Sequence, residues 1–416
     1  MGSLRGADDV ETIGEQFESR LFRKHYLIKG LLWAVLLYGS LVLSIIAYCN
    51  PALLPFNPLS YVFNIEVSPF FAFSQGSEYF PKPHGVRIVA LVPFHYHERT
   101  AILDCYLQNN LVQNRGLLDQ VVFIPQTDDA FSLQWLDALV QKTPEYAISV
   151  GEDDMDWKFT QANVLYVRID GDVVFLEDHT IPTIVKTRLE DPDSLMISAN
   201  VMSEGALSSL HSHHGVALPY LPELDEADQD PQTNGQSHSD WHASNLPLWN
   251  GPAAFVIEKE FRPPFQGHRW LPVAEEGLDR DPIASAMRRE TGPSLQEWTV
   301  SAQHHYSFLD HLESNTLSRY KFPLWKNPPE AVSSTLGCFW GKDAAALREL
   351  YGQQTASEGL STIWTASDGS HPNITIDGKG LASHYSAEMA VAGLDSTDLL
   401  ERYHAYAQEN VCRPTR

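Results

Sequence analysis

The sequence predicts an α/β protein in which a mostly parallel sheet, flanked by helices, follows one N-terminal transmembrane helix. Three observations predict it. Strand and helix patterns alternate from about residue 86 to 201, as they do when a parallel sheet is built. Residues 30–49, GLLWAVLLYGSLVLSIIAYC, contain no charged side chain. Residues 163–178, NVLYVRIDGDVVFLED, carry an apolar strand straight into Asp170-Gly171-Asp172 and on into a second apolar run. A hairpin facing water would alternate instead.

The N-terminus sets the topology. A 20-residue helix spans roughly 30 Å, the thickness of the hydrocarbon core, and a soluble core helix of that length would show a polar face. The stretch also lacks the small-residue cleavage site of a signal peptide. Arg20, Arg23, Lys24 and Lys29 precede it, and no basic residue follows until Lys82. The positive-inside rule therefore makes residues 1–29 a cytosolic tail and residues 30–49 a signal anchor in the lipid bilayer, with the rest on the far side. Residues 50–84, with Pro51, Pro55, Pro58, Pro69, Pro81 and Pro83 among aromatics, read as a stem. Residues 85–412 form the lumenal body, which is long enough to bury a large core.

Composition narrows the partners. A chain that is 43% hydrophobic and 11% aromatic is not a disordered one. A net charge of −24 excludes nucleic acid, whose phosphates need a basic surface. Of the four cysteines, none has CxxC spacing, so a cysteine zinc site is excluded. An oxidising lumen permits one disulfide. Cys338–Cys412 is the expected pair, because Cys105 falls on the apolar face of a helix. Asn373-Ile374-Thr375 is the one glycosylation sequon.

The body reads in order as follows. Residues 86–92 form a buried strand ended by Pro93. A helix from about 98 to 114 presents Ile102, Cys105, Tyr106 and Val112 on its apolar face, with Gly116 placed to end it. Residues 121–125 are a second strand. Thr127-Asp128-Asp129 then cap a helix to about Lys142. Strands follow at 146–150 and 164–169, a helix at 180–189 and a strand at 194–201. Residues 222–247 are polar, acidic and turn-rich, and read as a flexible insert. Beyond it come a strand at 253–257, a helix at 295–313, a strand at 335–339 and a closing amphipathic helix at 397–408.

The chemistry concentrates at Asp170 and Asp172. Two carboxylates at the tip of a buried strand need a partner, and the common partner of an Asp-x-Asp pair is a divalent cation. Such a cation attracts a diphosphate. Ligands of sheets like this one bind at the carboxyl ends of the strands, where the 93–97 loop also lies.

Signal anchor, stem, strand–helix repeats and a strand ending in Asp-x-Asp together resemble the glycosyltransferases of the GT-A fold. More narrowly, the sequence is similar to fungal type II membrane proteins with a C-terminal DGKGLASHYS-like stretch, present here from Asp377. The resemblance covers roughly residues 85–410. It implies that Asp170 and Asp172 hold Mn²⁺ or Mg²⁺, that His384 completes the shell, and that a nucleotide-sugar donor gives its sugar to a glycan or protein acceptor in the Golgi or another secretory compartment. It also implies nucleotide contacts at His95, Arg99 and Asp128. Gly378-Lys379-Gly380 reads as a loop that lets backbone approach phosphate, with Lys379 neutralising charge. No acceptor-side acidic motif is evident. The base is sought at Glu275, Glu276 and Asp279, a carboxylate-rich loop after the Trp270 segment. Two other readings are open: a non-catalytic binding module of the same fold, and a lumenal zinc hydrolase built on His211, His213 and His214. His305, on the apolar stripe of the 295–313 helix, reads as a satisfied core histidine.

Overall fold

The computed structural model describes residues 29, 33–42, 80–149, 160–203, 207–212, 215–225, 240–252, 255–258, 261–274, 297–328, 332, 334–352, 373–385 and 391–412. It divides into two units, Met1–Gln75 and Gly76–Arg416. In the first, residues 33–42 are helical, with Trp33, Val35, Leu36, Leu37, Tyr38 and Leu41 all exposed. Among the described residues no helix is long and apolar enough to cross a membrane. The remainder of the expected 30–49 anchor lies outside them.

The second unit is built on a nine-stranded sheet. Its strands are β1 (Arg87–Phe94), β2 (Gln120–Pro125), β3 (Tyr146–Ile148), β4 (Val164–Ile169), β5 (Val173–Leu176), β6 (Met196–Met202), β9 (Trp325–Lys326), β10 (Leu336–Trp340) and β11 (Ile374–His384). A separate antiparallel pair, β7 (Tyr220–Pro222) and β8 (Trp270–Pro272), stands outside it. The order is β3-β2-β1-β4-β10-β6-β11-β5, with β9 also on β11. β3, β2, β1 and β4 are mutually parallel, as the strand–helix alternation predicts. β6 and β11 share that direction, since β6 and β4 are both antiparallel to β10 and β11 is parallel to β6. Six of the nine strands therefore run one way and the sheet is mostly parallel; β5, β9 and β10 are the reversed strands. β10 runs antiparallel to both β4 and β6, and β11 antiparallel to β5 and β9. These strands arrive from the C-terminal third by long connections, so nothing in the local pattern fixes their direction.

The labelled helices are α1 (His97–Asn110), α2 (Ala130–Lys142), α3 (Thr180–Glu190), α4 (Trp298–Glu313), α5 (Ala344–Gly352) and α6 (Leu399–Asn410). The sheet is buried on both faces, which is why β1 from Ile88 onward and β4 apart from the half-buried Arg168 are apolar. Ile88, Ala90, Val92 and Phe94 join one core with Val167, Phe175 and Phe308. Val89 and Leu91 join the other, with Tyr166, Phe339, Ala344 and Leu347. This is the period-2 alternation of a strand between two layers.

Four expectations are corrected. The Gly378-Lys379-Gly380 loop is part of β11, which carries a register shift between Asp377 and Leu381. Residues 255–258 are not a strand. The end of the expected 222–247 insert is packed: Trp241 and Ala243 are buried, and the Trp241 indole donates to Glu409 at 2.9 Å. Finally, the disulfide is Cys105–Cys412, not Cys338–Cys412. Cys338 is a free, buried thiol in β10. The buried stripe of α1 is Ile102, Leu103, Tyr106 and Leu107, which turns Cys105 toward the end of α6.

Candidate metal centre at the end of strand β4

The Asp170-Gly171-Asp172 turn links β4 to β5. The Val173 N–H donates to the Asp170 carbonyl at 3.1 Å and closes it. The Asp172 N–H donates to Asp170 Oδ1 at 3.0 Å. Only glycine fits between the two aspartates, because a Cβ on Gly171 would overlap the Pro93 carbonyl oxygen at the end of β1. The turn is therefore wedged against the neighbouring strand.

β11 delivers the third residue. It runs antiparallel to β5 and sets His384 opposite Val173. The next backbone N–H, of Tyr385, donates to the Asp172 carbonyl at 2.9 Å. His384 Nε2 consequently lies 3.4 Å from Asp170 Oδ1. Ligand atoms of Asp170, Asp172 and His384 all lie within 4.8 Å of one another, the one such group among the described residues.

The electrostatics suit a cation. Burial alone would raise the Asp170 carboxyl, but the hydrogen bond and charge of His384, then Arg168, hold it far below the usual range. Burial raises Asp172, and the Asp170 charge adds to that against the pull of Arg99. For Arg99, burial works against the charge, yet Asp172 and Asp395 outweigh it and strengthen its protonation. The two halves of that ion pair move differently because at Asp172 burial, with the Asp170 charge added to it, outweighs the pull of Arg99. Asp172 Oδ1 is buried without a hydrogen-bond partner, a costly state for a carboxylate oxygen. Two carboxylates and an imidazole with one such oxygen are a donor set that Mn²⁺ or Mg²⁺ fits.

The other expected site residues are dispersed. His95, half-buried in the loop after β1, is near enough for its charge to favour the Asp172 carboxylate. Arg99 is directed at the protein's own carboxylates, donating to Asp172 Oδ2 at 2.6 Å and to Asp395 Oδ1 at 3.3 Å. Asp128 is exposed before α2, and its neighbour Asp129 caps that helix by accepting the Ser132 N–H. Lys379 is half-buried, five residues before His384 on β11, or roughly 15 Å of strand away. Glu275, Glu276 and Asp279 lie outside the described residues. So do His213 and His214 of the alternative zinc set. His211 is buried, and its Nε2–H donates to Asn200 Oδ1 at 2.9 Å. The structural roles of Arg99 and Tyr385 had no sequence signal, since both depend on chain segments far apart.

His305 is a satisfied core histidine. A carbonyl can only accept, so Nε2–H donates to the Tyr385 carbonyl at 2.7 Å, and Nδ1 accepts the Tyr403 hydroxyl at 2.8 Å. Burial lowers it to about 3, so the ring is neutral. It supports the backbone of the residue that follows His384.

No protein-family model matches the sequence, and no curated protein does. Solved structures that match include a 4-diphosphocytidyl-2C-methyl-D-erythritol synthase, at 10% identity and TM-score 0.21, over 27% of this chain and 59% of that one. Another is a CMP:2-keto-3-deoxy-manno-octonic acid synthetase complexed with CTP, at 13% identity and TM-score 0.22, over 30% of this chain and 56% of that one. The chain thus spans less than two thirds of each. Likenesses this slight do not bear on activity.

Proposed function

We propose that the Asp170–Asp172–His384 centre binds a divalent cation that recruits a nucleoside diphosphate, and that the protein is a membrane-anchored transferase of nucleotide-activated sugars facing the secretory lumen. The observation that carries this is the convergence of three ligating side chains at the carboxyl end of β4, with one buried carboxylate oxygen lacking a partner.

Asp170 and Asp172 would supply hard oxygen ligands, and His384 a neutral imidazole nitrogen. Bound there, the cation supplies charge neutralisation for a diphosphate leaving group. The chain itself contributes rigidity: the Gly171–Pro93 contact and the Tyr385–Asp172 hydrogen bond fix the two carboxylates before any ligand arrives. Glu275, Glu276 and Asp279 stand as the proposed source of a base. The apolar side chains exposed around the 33–42 helix support a lipid anchor, and the disulfide supports an oxidising compartment for the body.

A thermal-shift titration with nucleoside diphosphates, with and without Mn²⁺, tests the reading. At a ligand concentration 100 times Kd, stabilisation of about 2.7 kcal/mol is expected. It should appear only when both are present and vanish in Asp170→Asn. Stabilisation that needs neither the metal nor Asp170 overturns the proposal.

A further inference from the structure

Arg99 lies in the first turn of α1, where a cation opposes the helix macrodipole. Its side chain is only 4% exposed. Both circumstances penalise a guanidinium, so its surroundings must offset them. Its Cζ sits 4.6 Å from the Tyr96 ring centroid and 4.7 Å from that of Tyr385. Two carboxylates take its N–H groups: Asp172, which is nearly buried, and Asp395, whose side chain is 48% exposed. Rings fix the plane of a guanidinium and carboxylates fix its direction within that plane, a combination that lysine cannot reproduce.

This clamp determines how Asp172 is presented. Oδ2 is engaged by Arg99, which leaves Oδ1, buried and without a partner. Tyr385 lies on the other side of the same arrangement. Its ring meets Arg99, its N–H donates to the Asp172 carbonyl, and the residue before it is His384. One guanidinium thereby touches both chain segments that make up the candidate centre.

We infer that Arg99 is a positioning residue: it orients the Asp172 carboxylate so that one oxygen faces the cation, and it ties that carboxylate, through Tyr385, to the strand end that bears His384. The inference rests on the cation-binding reading above. It makes a prediction that charge alone does not. A positive group beside a cation site repels the cation, so simple electrostatics makes removal of Arg99 tighten binding. A positioning role makes removal weaken it.

The test is direct titration of Mn²⁺, without nucleotide, into the full-length chain and its variants. Arg99→Lys and Arg99→Met should both weaken Mn²⁺ binding roughly ten- to a hundredfold, the usual effect of losing a group that orients a metal ligand. Asp395→Asn removes the exposed anchor and leaves the buried pair in place. It should weaken binding by less, with an unchanged thermal midpoint. Wild-type affinity in Arg99→Lys, tighter binding in Arg99→Met, or unchanged affinity in Asp395→Asn overturns the inference. The last holds even if both Arg99 variants fail to fold. Asp170→Asn separates the two levels: a wild-type chain that takes up no Mn²⁺, or an Asp170→Asn chain that takes it up equally well, removes the cation site itself. Loss in Asp170→Asn beside normal uptake in Arg99→Lys removes only the role of Arg99.

Discussion

Gly171 shows how a turn residue can be required by tertiary contact. In sequence, Asp-Gly is a common turn pair, and that reading is adequate until the Pro93 carbonyl is seen beside it. Both contacting groups are backbone, so neither can swing aside. Gly171→Ala should therefore push β4 and β1 apart. We expect a loss of about 1–3 kcal/mol, the usual cost of overpacking, read from the urea midpoint, with weaker Mn²⁺ uptake. A variant as stable as wild type would mean that the turn can relax. Asp170 and Asp172 were legible because apolar runs flank them on both sides. His384 was indicated by the resemblance. Arg99 was visible only as a basic residue near a strand end, because its partner Asp395 lies 296 positions away.

At the level of elements, β11 is the instructive case. Its Gly-Lys-Gly reads as loop, yet the strand runs through it. Gly378 packs against Phe322 and Gly380 against Thr180, so these glycines mark close approach, as glycines inside strands often do. The Asn373 amide donates to the Asp193 carbonyl at 2.8 Å and holds the start of the same strand. The disulfide joins α1 to Cys412, two residues beyond the end of α6. α6 in turn carries Tyr403, whose hydroxyl meets His305. Replacing Cys105 by Ser should cost about 2–4 kcal/mol in chemical denaturation. Cys338→Ser should leave the crosslink intact, which a free-thiol assay under denaturing conditions would read.

Across the whole molecule, the first four parallel strands follow from local pattern, whereas the reversed direction of β10 and the parallel pairing of β11 with β6 depend on contacts that only the assembled sheet specifies. Behind the sheet lies a group of buried neutral histidines. Burial lowers His211 and His305 to about 3 and His304 to about 4. An unfolded chain binds their protons from an ordinary pKa near 6.5 downward. Between that value and the folded one the unfolded state holds more protons, so stability falls as pH falls. At pH 5.5 the three together should reduce it by about 4 kcal/mol relative to pH 7.5. Denaturant midpoints measured across that range would show it, and His304→Gln should flatten the slope. A stability that is level between pH 7.5 and 5.5 would contradict the buried neutral assignment.

The pairing of β11 with β5 has a temporal consequence. During synthesis the aspartate turn leaves the ribosome long before residue 384 does, so an emerging polypeptide has two thirds of the chelating set and lacks the imidazole. Any ion that requires all three ligands can be captured only once the final strand has been threaded into place. Loading with such an ion would then report that residue 384 has emerged and that its strand has joined the sheet.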